Sequence, residues 1–272
     1  MKFSILIAHY NNFEYFKDCY TSIIQQTFQD FEVIIVDDCS TDGSFEKVKD
    51  WIKEDSRFKI FQNEENKGVG YTKKKCIELA NGEICGFLDP DDALASLALE
   101  TCVRCYTDNS LVAVYSQCSF CDEKMNHLFV LQSNTSIKNN NPLFFNIFFE
   151  VNHFFTFRKD AYLKTLGIDE SLKVAEDQDL YLKLYEVGNF KFVKTPLYLY
   201  RRHSQGLSQD IDIRKIEQKK KDWTKVLFTT LQRRGINTLY GKKINEIKDL
   251  PTFIYNNQNT IWKRISRKLK EL

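Results

Sequence analysis

The chain has 272 residues, is 43% hydrophobic and carries a formal net charge of +2, enough for one large domain, or a domain with an extension, and a sizeable core. No run of about 18 apolar residues occurs, so no membrane-spanning helix is expected. The small net charge hides an asymmetry: residues 1–210 hold 23 Lys+Arg against 31 Asp+Glu, and residues 211–272 hold 16 against 6. A basic tail on an acidic body predicts contact with an anionic surface, the alternative being a solvated helical face.

The N-terminal MKFSILIAHYNN is apolar for too few residues to be a secretion signal, and no small-residue cleavage site follows. It reads as a first strand of a protein expected in the cytoplasm. Three short, continuously apolar runs recur: FSILIAHY (3–10), FEVIIVDD (31–38) and GEICGFLD (82–89). Such runs fit strands buried on both faces of a parallel sheet. Between them Phe13, Phe16, Tyr20, Ile23, Ile24 and Phe28 repeat at helical spacing, as do Phe45, Val48, Trp51 and Ile52. A short strand (58–63) precedes a helix over 71–80, which Asn81-Gly82 ends. The β-α-β-α-β-α-β order predicts an α/β fold with a mainly parallel central sheet flanked by helices.

Further on, residues 93–108 read as helix, 111–121 as strand and 132–141 (QSNTSIKNNN) as a mobile polar loop. A strand at HFFTFRKD, a helix following Glu176-Asp177 and a strand at KFVKTPLYLYRRH come next. Residues 212–272 read as helices interrupted near Gly235, Gly241 and Pro251, ending in a basic amphipathic run with Ile261, Ile265, Leu269 and Leu272 on one face. The expected division is one domain over 1–210, with two halves that meet near residue 92, and a basic helical extension over 211–272. Aromatic stacking residues are sparse in that tail, so nucleic acid is not an expected partner.

Of the eight cysteines, Cys102-x-x-Cys105 and Cys118-x-x-Cys121 have spacing that would suit zinc. The first pair lies in a helical run and the second in a strand-like run, where odd spacing places the two thiols on opposite faces. Buried free thiols are therefore expected.

In an α/β sheet, ligands bind beyond the carboxyl ends of the strands. Asn11, Asp37-Asp38 and Asp89-Pro90-Asp91-Asp92 all fall at such ends. Crowded carboxylates repel one another and need a compensating cation or a proton donor. In a chain without an evident Cys/His ligand set they suit a hard divalent cation, Mn²⁺ or Mg²⁺, which can neutralise a diphosphate leaving group. A turn with Asp92 capping the next helix is the plainer reading. Likewise one of Asp37 and Asp38 can cap a helix while the other accepts from a base N–H or a ribose hydroxyl. Glu176-Asp177 open a helix whose dipole keeps a carboxylate ionised, as a general base requires.

Taken in order, SILIAHYNN, QQTFQDFEVIIVDDCSTDGS, NEENKGVG, ANGEICGFLDPDD, AEDQDLYLKLYEVGNF and YLYRRHSQGLS resemble the family 2 glycosyltransferases of the GT-A fold, over about residues 1–208. The resemblance implies an inverting transferase that moves a sugar from a nucleotide-diphosphate sugar, UDP by family habit, to a hydroxyl of a glycan or lipid-linked acceptor in cell-surface polysaccharide synthesis. It implies that Ala8 and Tyr10 line the nucleoside pocket and that Asp38, with Asp37, reads the base. Asp89, Asp91 and Asp92 cover the DxD motif, one on the ribose and another on the metal. Asp177 matches the catalytic base, with Glu176 beside it. His203 matches a position where some members supply a metal or diphosphate ligand. Many members have Ala-Arg-Asn where this chain has Thr72, Lys73 and Lys74; Lys73 keeps the charge toward the donor but loses the planar fork of arginine. The acceptor is expected to meet the 132–141 loop and the second half. The basic tail is expected to dock at the inner face of a membrane.

A receiver domain would need a lone acceptor Asp and a later Lys, a nucleotidyltransferase a Gly-rich loop after the first strand, and a haloacid-type phosphatase its DxD after that strand; none fits. A non-catalytic sugar-nucleotide-binding scaffold is the remaining alternative.

Overall fold

A computed structural model describes residues 1–204 and 213–260. The strands are β1 (Phe3–His9), β2 (Phe31–Asp37), β3 (Phe58–Gln62), β4 (Ile84–Phe87), β5 (Ala93–Leu94), β6 (Leu111–Cys121), β7 (His127–Val130), β8 (Phe155–Arg158) and β9 (Asn189–Arg201). They form one sheet in the order β3-β2-β1-β4-β8-β6-β9-β5, with β7 on β6. The first four pair in parallel, as expected. Beyond β4 the sheet is mixed: β8 runs antiparallel to β4 and β6, β5 to β9 and β7 to β6, while β6 and β9 are parallel.

The strands are buried on both faces because their alternate residues enter two different cores. Phe3, Ile5 and Ile7 of β1 and Val33 and Ile35 of β2 face the helices α1 (Phe13–Ile24), α2 (Ser44–Ile52) and α4 (Ala98–Cys105). Leu6, Ile34 and Val36 face α3 (Val69–Leu79), α5 (Lys159–Tyr162) and α6 (Glu176–Tyr185). All eight cysteines are free thiols, and Cys102, Cys105, Cys118 and Cys121 are all buried. Gly82 is required at the α3–β4 turn, where a Cβ would lie 2.5 Å from Ser4 Oγ. Glu32 closes that turn, accepting from Ser4 Oγ and the Asn81 N–H.

The tail is packed on the body. α7 (Ile213–Arg233) sends Val226 into the second core, and its Leu227 and Leu231 join Phe145, Ile147, Leu250 and Ile254 in a third. A small hairpin of β10 (Thr238–Leu239) and β11 (Lys242–Lys243), with a tight 3-10 turn after it, interrupts the expected helices before α8 (Leu250–Gln258), which Asp249 caps. The basic amphipathic run after 260 lies outside the described residues. No helix among the described residues is long and apolar enough to cross a membrane.

Candidate active site

Strand β2 delivers two carboxylates with different roles. Asp37 is fully buried; its Oδ2 meets His9 Nδ1 at 2.9 Å and accepts from Ser40 Oγ, and its Oδ1 accepts from Ser40 N and Gln62 Nε2. Burial opposes its charge, but these bonds hold its pKa below the usual carboxylate value. Both of its oxygens are thus taken up by bonds within the fold. Asp38 holds the 63–68 loop against the strand end, its Oδ1 accepting from Asn63 Nδ2 and Lys67 N and its Oδ2 from Gly68 N at 2.8 Å. Ala8 is half-buried at the same edge, and Tyr10, 45% exposed, stands open to a ligand.

The DPDD turn is built from beneath. Asp92 is 1% exposed, and its Oδ1 accepts the Arg201 N–H at 2.7 Å. This turns one of its carboxylate oxygens inward, while Oδ2 is buried with no hydrogen-bond partner. Burial and the Asp91 and Asp89 charges push its pKa well up. Arg201, only 2% exposed, donates from Nε to Asp91 O and from Nη2 to Asp18 Oδ2, each at 2.7 Å, from Nη1 to Glu123 O, and lies over the Tyr15 ring. Tyr15 in turn packs on the His203 ring, and His203 Nε2 sits 2.8 Å from Asp91 Oδ2. Asp91 is itself raised by burial and by the nearby Asp89 carboxylate.

Helix α6 brings the second acidic group. Ala175 takes a left-handed conformation (φ 65°) and starts α6 at Glu176-Asp177. Glu176 is buried and paired with Lys73 Nζ at 2.7 Å. Burial works against the Lys73 charge, yet Glu176, Asp89 and Asp177 raise its pKa above that of a free lysine. Lys73 and Glu176 thus form a closed ion pair beside Asp177. Asp177 is half-buried, bonded through Oδ1 to the Gln178 N–H at 2.7 Å. With Lys73, Phe87, His153, Glu176 and Tyr181 it lines a narrow cavity of about 10 Å³. The structure thus brings Asp89, Lys73, Glu176 and Asp177 together, with Asp91 and His203 beside Asp89. Thr72 on α3 joins the Asp38 side through Asn63 Nδ2 at 3.2 Å.

Sequence reasoning missed Arg201, which shapes the DPDD turn, and Tyr198, whose hydroxyl accepts the Asp89 N–H and whose ring stacks on His153. Both belong to the quoted YLYRRH block, but their partners in the DPDD turn lie 109 and 110 residues away in sequence. The 132–141 loop has no regular structure but is tied down: Tyr185 Oη donates to Lys138 O at 2.6 Å, and Asn139 pairs with Phe190. Tyr185 ends α6, roughly 12 Å along the helix from Asp177 at 1.5 Å per residue, so residues 138–141 sit away from the proposed base. Nearer to it, Asn146 Nδ2 donates to Gln178 Oε1 at 2.7 Å.

A layered α/β domain with carboxylates at its parallel strand ends and an acidic helix start facing them has the GT-A architecture of nucleotide-sugar transferases. The chain belongs to glycosyl transferase family 2, whose sequence profile matches residues 4–166. It is 34% identical over 234 residues to a chondroitin synthase of Escherichia coli, covering 86% of this chain and 33% of that protein. It is 30% identical over 267 residues to a hyaluronan synthase of Pasteurella multocida, covering 93% of this chain and 25% of that one. The chain thus spans a quarter to a third of the length of these relatives. Among solved structures, S. aureus TarS 1–349 in complex with UDP-GlcNAc superposes with a TM-score of 0.71 at 22% identity, over 89% of this chain and 68% of that one. A Pyrobaculum calidifontis mannosyltransferase in complex with GDP-Man and Mn²⁺ gives 0.65 at 15% identity, over 98% and 73%.

Proposed function

We propose that the chain is an inverting, metal-dependent glycosyltransferase that moves a sugar from a UDP-sugar to a hydroxyl of a growing polysaccharide or lipid-linked glycan. The observation that carries this is the Lys73–Glu176 pair lying near both Asp89, at a strand end, and Asp177, at a helix start, with Asp91 beside Asp89. TarS with UDP-GlcNAc and the two synthases support the donor class and a polysaccharide acceptor.

Ala8, Tyr10 and Asp38 form the nucleoside side of the site, and Asp89 meets the ribose. Among the described residues no group of three or more His, Cys, Asp and Glu side chains stands ready as a complete metal cage. Asp91 and His203 nevertheless fit a partial set for Mn²⁺ or Mg²⁺: adjacent carboxylate and imidazole donors, with Asp91 held at a raised pKa by burial and by Asp89. When bound, the cation would offset the charge of the departing diphosphate. Asp177 takes the proton from the acceptor hydroxyl, and the freed oxygen attacks the anomeric carbon from the face opposite the nucleotide. Lys73 pairs with Glu176, which leaves Asp177 as the proton-accepting one of the two carboxylates that line the cavity. Acceptor contacts fall to the 146–153 segment, through His153, which lines the cavity with Asp177.

A thermal-shift panel of UDP, GDP, dTDP and CMP, each with and without Mn²⁺, tests the donor class, because a ligand bound only to the folded state raises the melting temperature. A manganese-dependent rise with UDP is expected; no rise with any nucleotide would point to a scaffold that kept the fold. We also propose that the basic tail docks the enzyme at an anionic membrane surface on the cytoplasmic side. Replacing the Lys and Arg residues of 263–270 with Gln should abolish co-sedimentation with anionic vesicles; unchanged sedimentation would refute it.

A further inference from the structure

We propose that Asp222, on α7, is a positioning residue for the transfer reaction: it holds the segment that delivers Asp177, so the helix beyond the family-matched region is part of the active site. The inference rests on the reading of Asp177 as the base. Asp222 is 4% exposed. Its Oδ2 accepts the backbone N–H groups of Lys173, at 2.9 Å, and Val174, at 3.1 Å, while its Oδ1 accepts from Gln218 Nε2 at 2.7 Å. One turn further along α7, Lys225 Nζ reaches Asp169 Oδ2 at 2.7 Å and Ser171 Oγ at 2.5 Å. Burial opposes the Asp169 charge, yet the Lys225 and Ser171 bonds bring its pKa down to about 2.

The same segment is held from the other side by α3. Lys74 Nζ pairs with Glu170 at 2.5 Å. Gly70 packs against the same segment: a Cβ there would lie in ordinary van der Waals contact, 3.5 Å from Asp169 O, Glu170 Cα and Leu172 O. Residues 169–174 are therefore a strap clamped between α3, which carries Lys73, and α7. The strap runs directly into Ala175, in its left-handed conformation, and then into Glu176 and Asp177. Two consecutive backbone donors on one carboxylate oxygen form charge-assisted bonds that fix both position and direction. A displacement near 1 Å of a catalytic group can cost about 10²-fold in rate. The family profile ends at residue 166, so this anchor comes from a part of the chain that the profile does not describe.

The test uses the full chain with a UDP-sugar and acceptor. Asp222→Ala is expected to lower kcat roughly 10- to 100-fold, with donor KM and the manganese-dependent nucleotide shift unchanged and with faster amide exchange at Lys173 and Val174. Asp222→Asn keeps one acceptor oxygen and should recover most of the rate. In an Asp177→Asn background, Asp222→Ala should slow the residual reaction no further, because the group it positions is already gone. Wild-type kcat in Asp222→Ala, or a full additional loss in the double variant, would overturn the inference while leaving the base role of Asp177 intact. Full activity of Asp177→Asn alone would instead overturn the underlying reading. Should Asp222→Ala fail to fold, Lys225→Met tests the other anchor of the same strap: a lower kcat with an unchanged nucleotide shift is expected, and an unchanged kcat refutes the clamp.

Discussion

Asp177→Asn lowers sugar transfer by about 10²- to 10⁴-fold, the usual contribution of a general base, and leaves the nucleotide-induced rise in melting temperature in place. Asparagine fills the same space and can still accept the Gln178 N–H that Asp177 accepts now. It cannot take a proton from a hydroxyl. The Lys73–Glu176 pair beside it stays closed, so Glu176 does not substitute: releasing Glu176 as a base would leave the Lys73 ammonium buried without its partner. The measurement is kcat for transfer alongside the thermal shift with UDP and Mn²⁺. Retained activity, or loss of nucleotide binding together with activity, would remove Asp177 from the base role.

Asp91→Asn abolishes the manganese-dependent part of nucleotide binding. Wild-type protein at about 100 times the dissociation constant gains roughly 2.7 kcal/mol. At about 2–4 °C per kcal/mol for a chain near this size, the melting temperature rises by roughly 5–11 °C; the variant should show little of that rise. Without ligand the variant should melt no lower than the wild type. Asp91 is pushed to a raised pKa by burial and by Asp89, so its folded state binds a proton more tightly than its unfolded state. That stabilising contribution is present at low pH and is lost as pH rises through the folded pKa, leaving the ionised group a liability at neutral pH that neutral asparagine removes. A variant that keeps the full manganese-dependent shift would exclude Asp91 as a ligand.

The parallel half of the sheet was legible in the sequence because β1, β2 and β4 are buried on both faces and so read as continuous apolar runs. The run 93–108 misled. It lacks Gly and Pro and reads as one helix, but Ala93 pairs with Leu199, Ser22 Oγ accepts the Leu94 N–H, and Gln26 donates to Ala95 O, so the helix starts only at Ala98. Those partners come from α1, the turn after it and β9, where no local pattern could reveal them. β7, with its largely exposed HLFV, carries no strand-like alternation and exists by pairing with β6.

The tail looked like a separate extension because its charge differs from that of the body. Yet Trp223, Val226, Leu227 and Leu231 recur at helical spacing, a face that had to be covered. In the site, carboxylates at strand ends and at a helix start marked the location. What the sequence does not show is which oxygen faces a ligand and which faces the fold. Asp37 and Asp38 are adjacent, but the first is saturated by His9, Ser40 and Gln62, while the second clamps a loop. Asp91 and Asp92 differ likewise, because Arg201 takes one carboxylate inward and His203 meets the other.

The most direct test is transfer from a UDP-sugar with Mn²⁺ to a panel of free and lipid-linked oligosaccharides, with the anomeric configuration of the product read by NMR. The account predicts one transferred sugar per turnover, a configuration inverted relative to the donor, and loss of the product in Asp177→Asn. A product with retained configuration, or equal product from the Asp177→Asn variant, would contradict it.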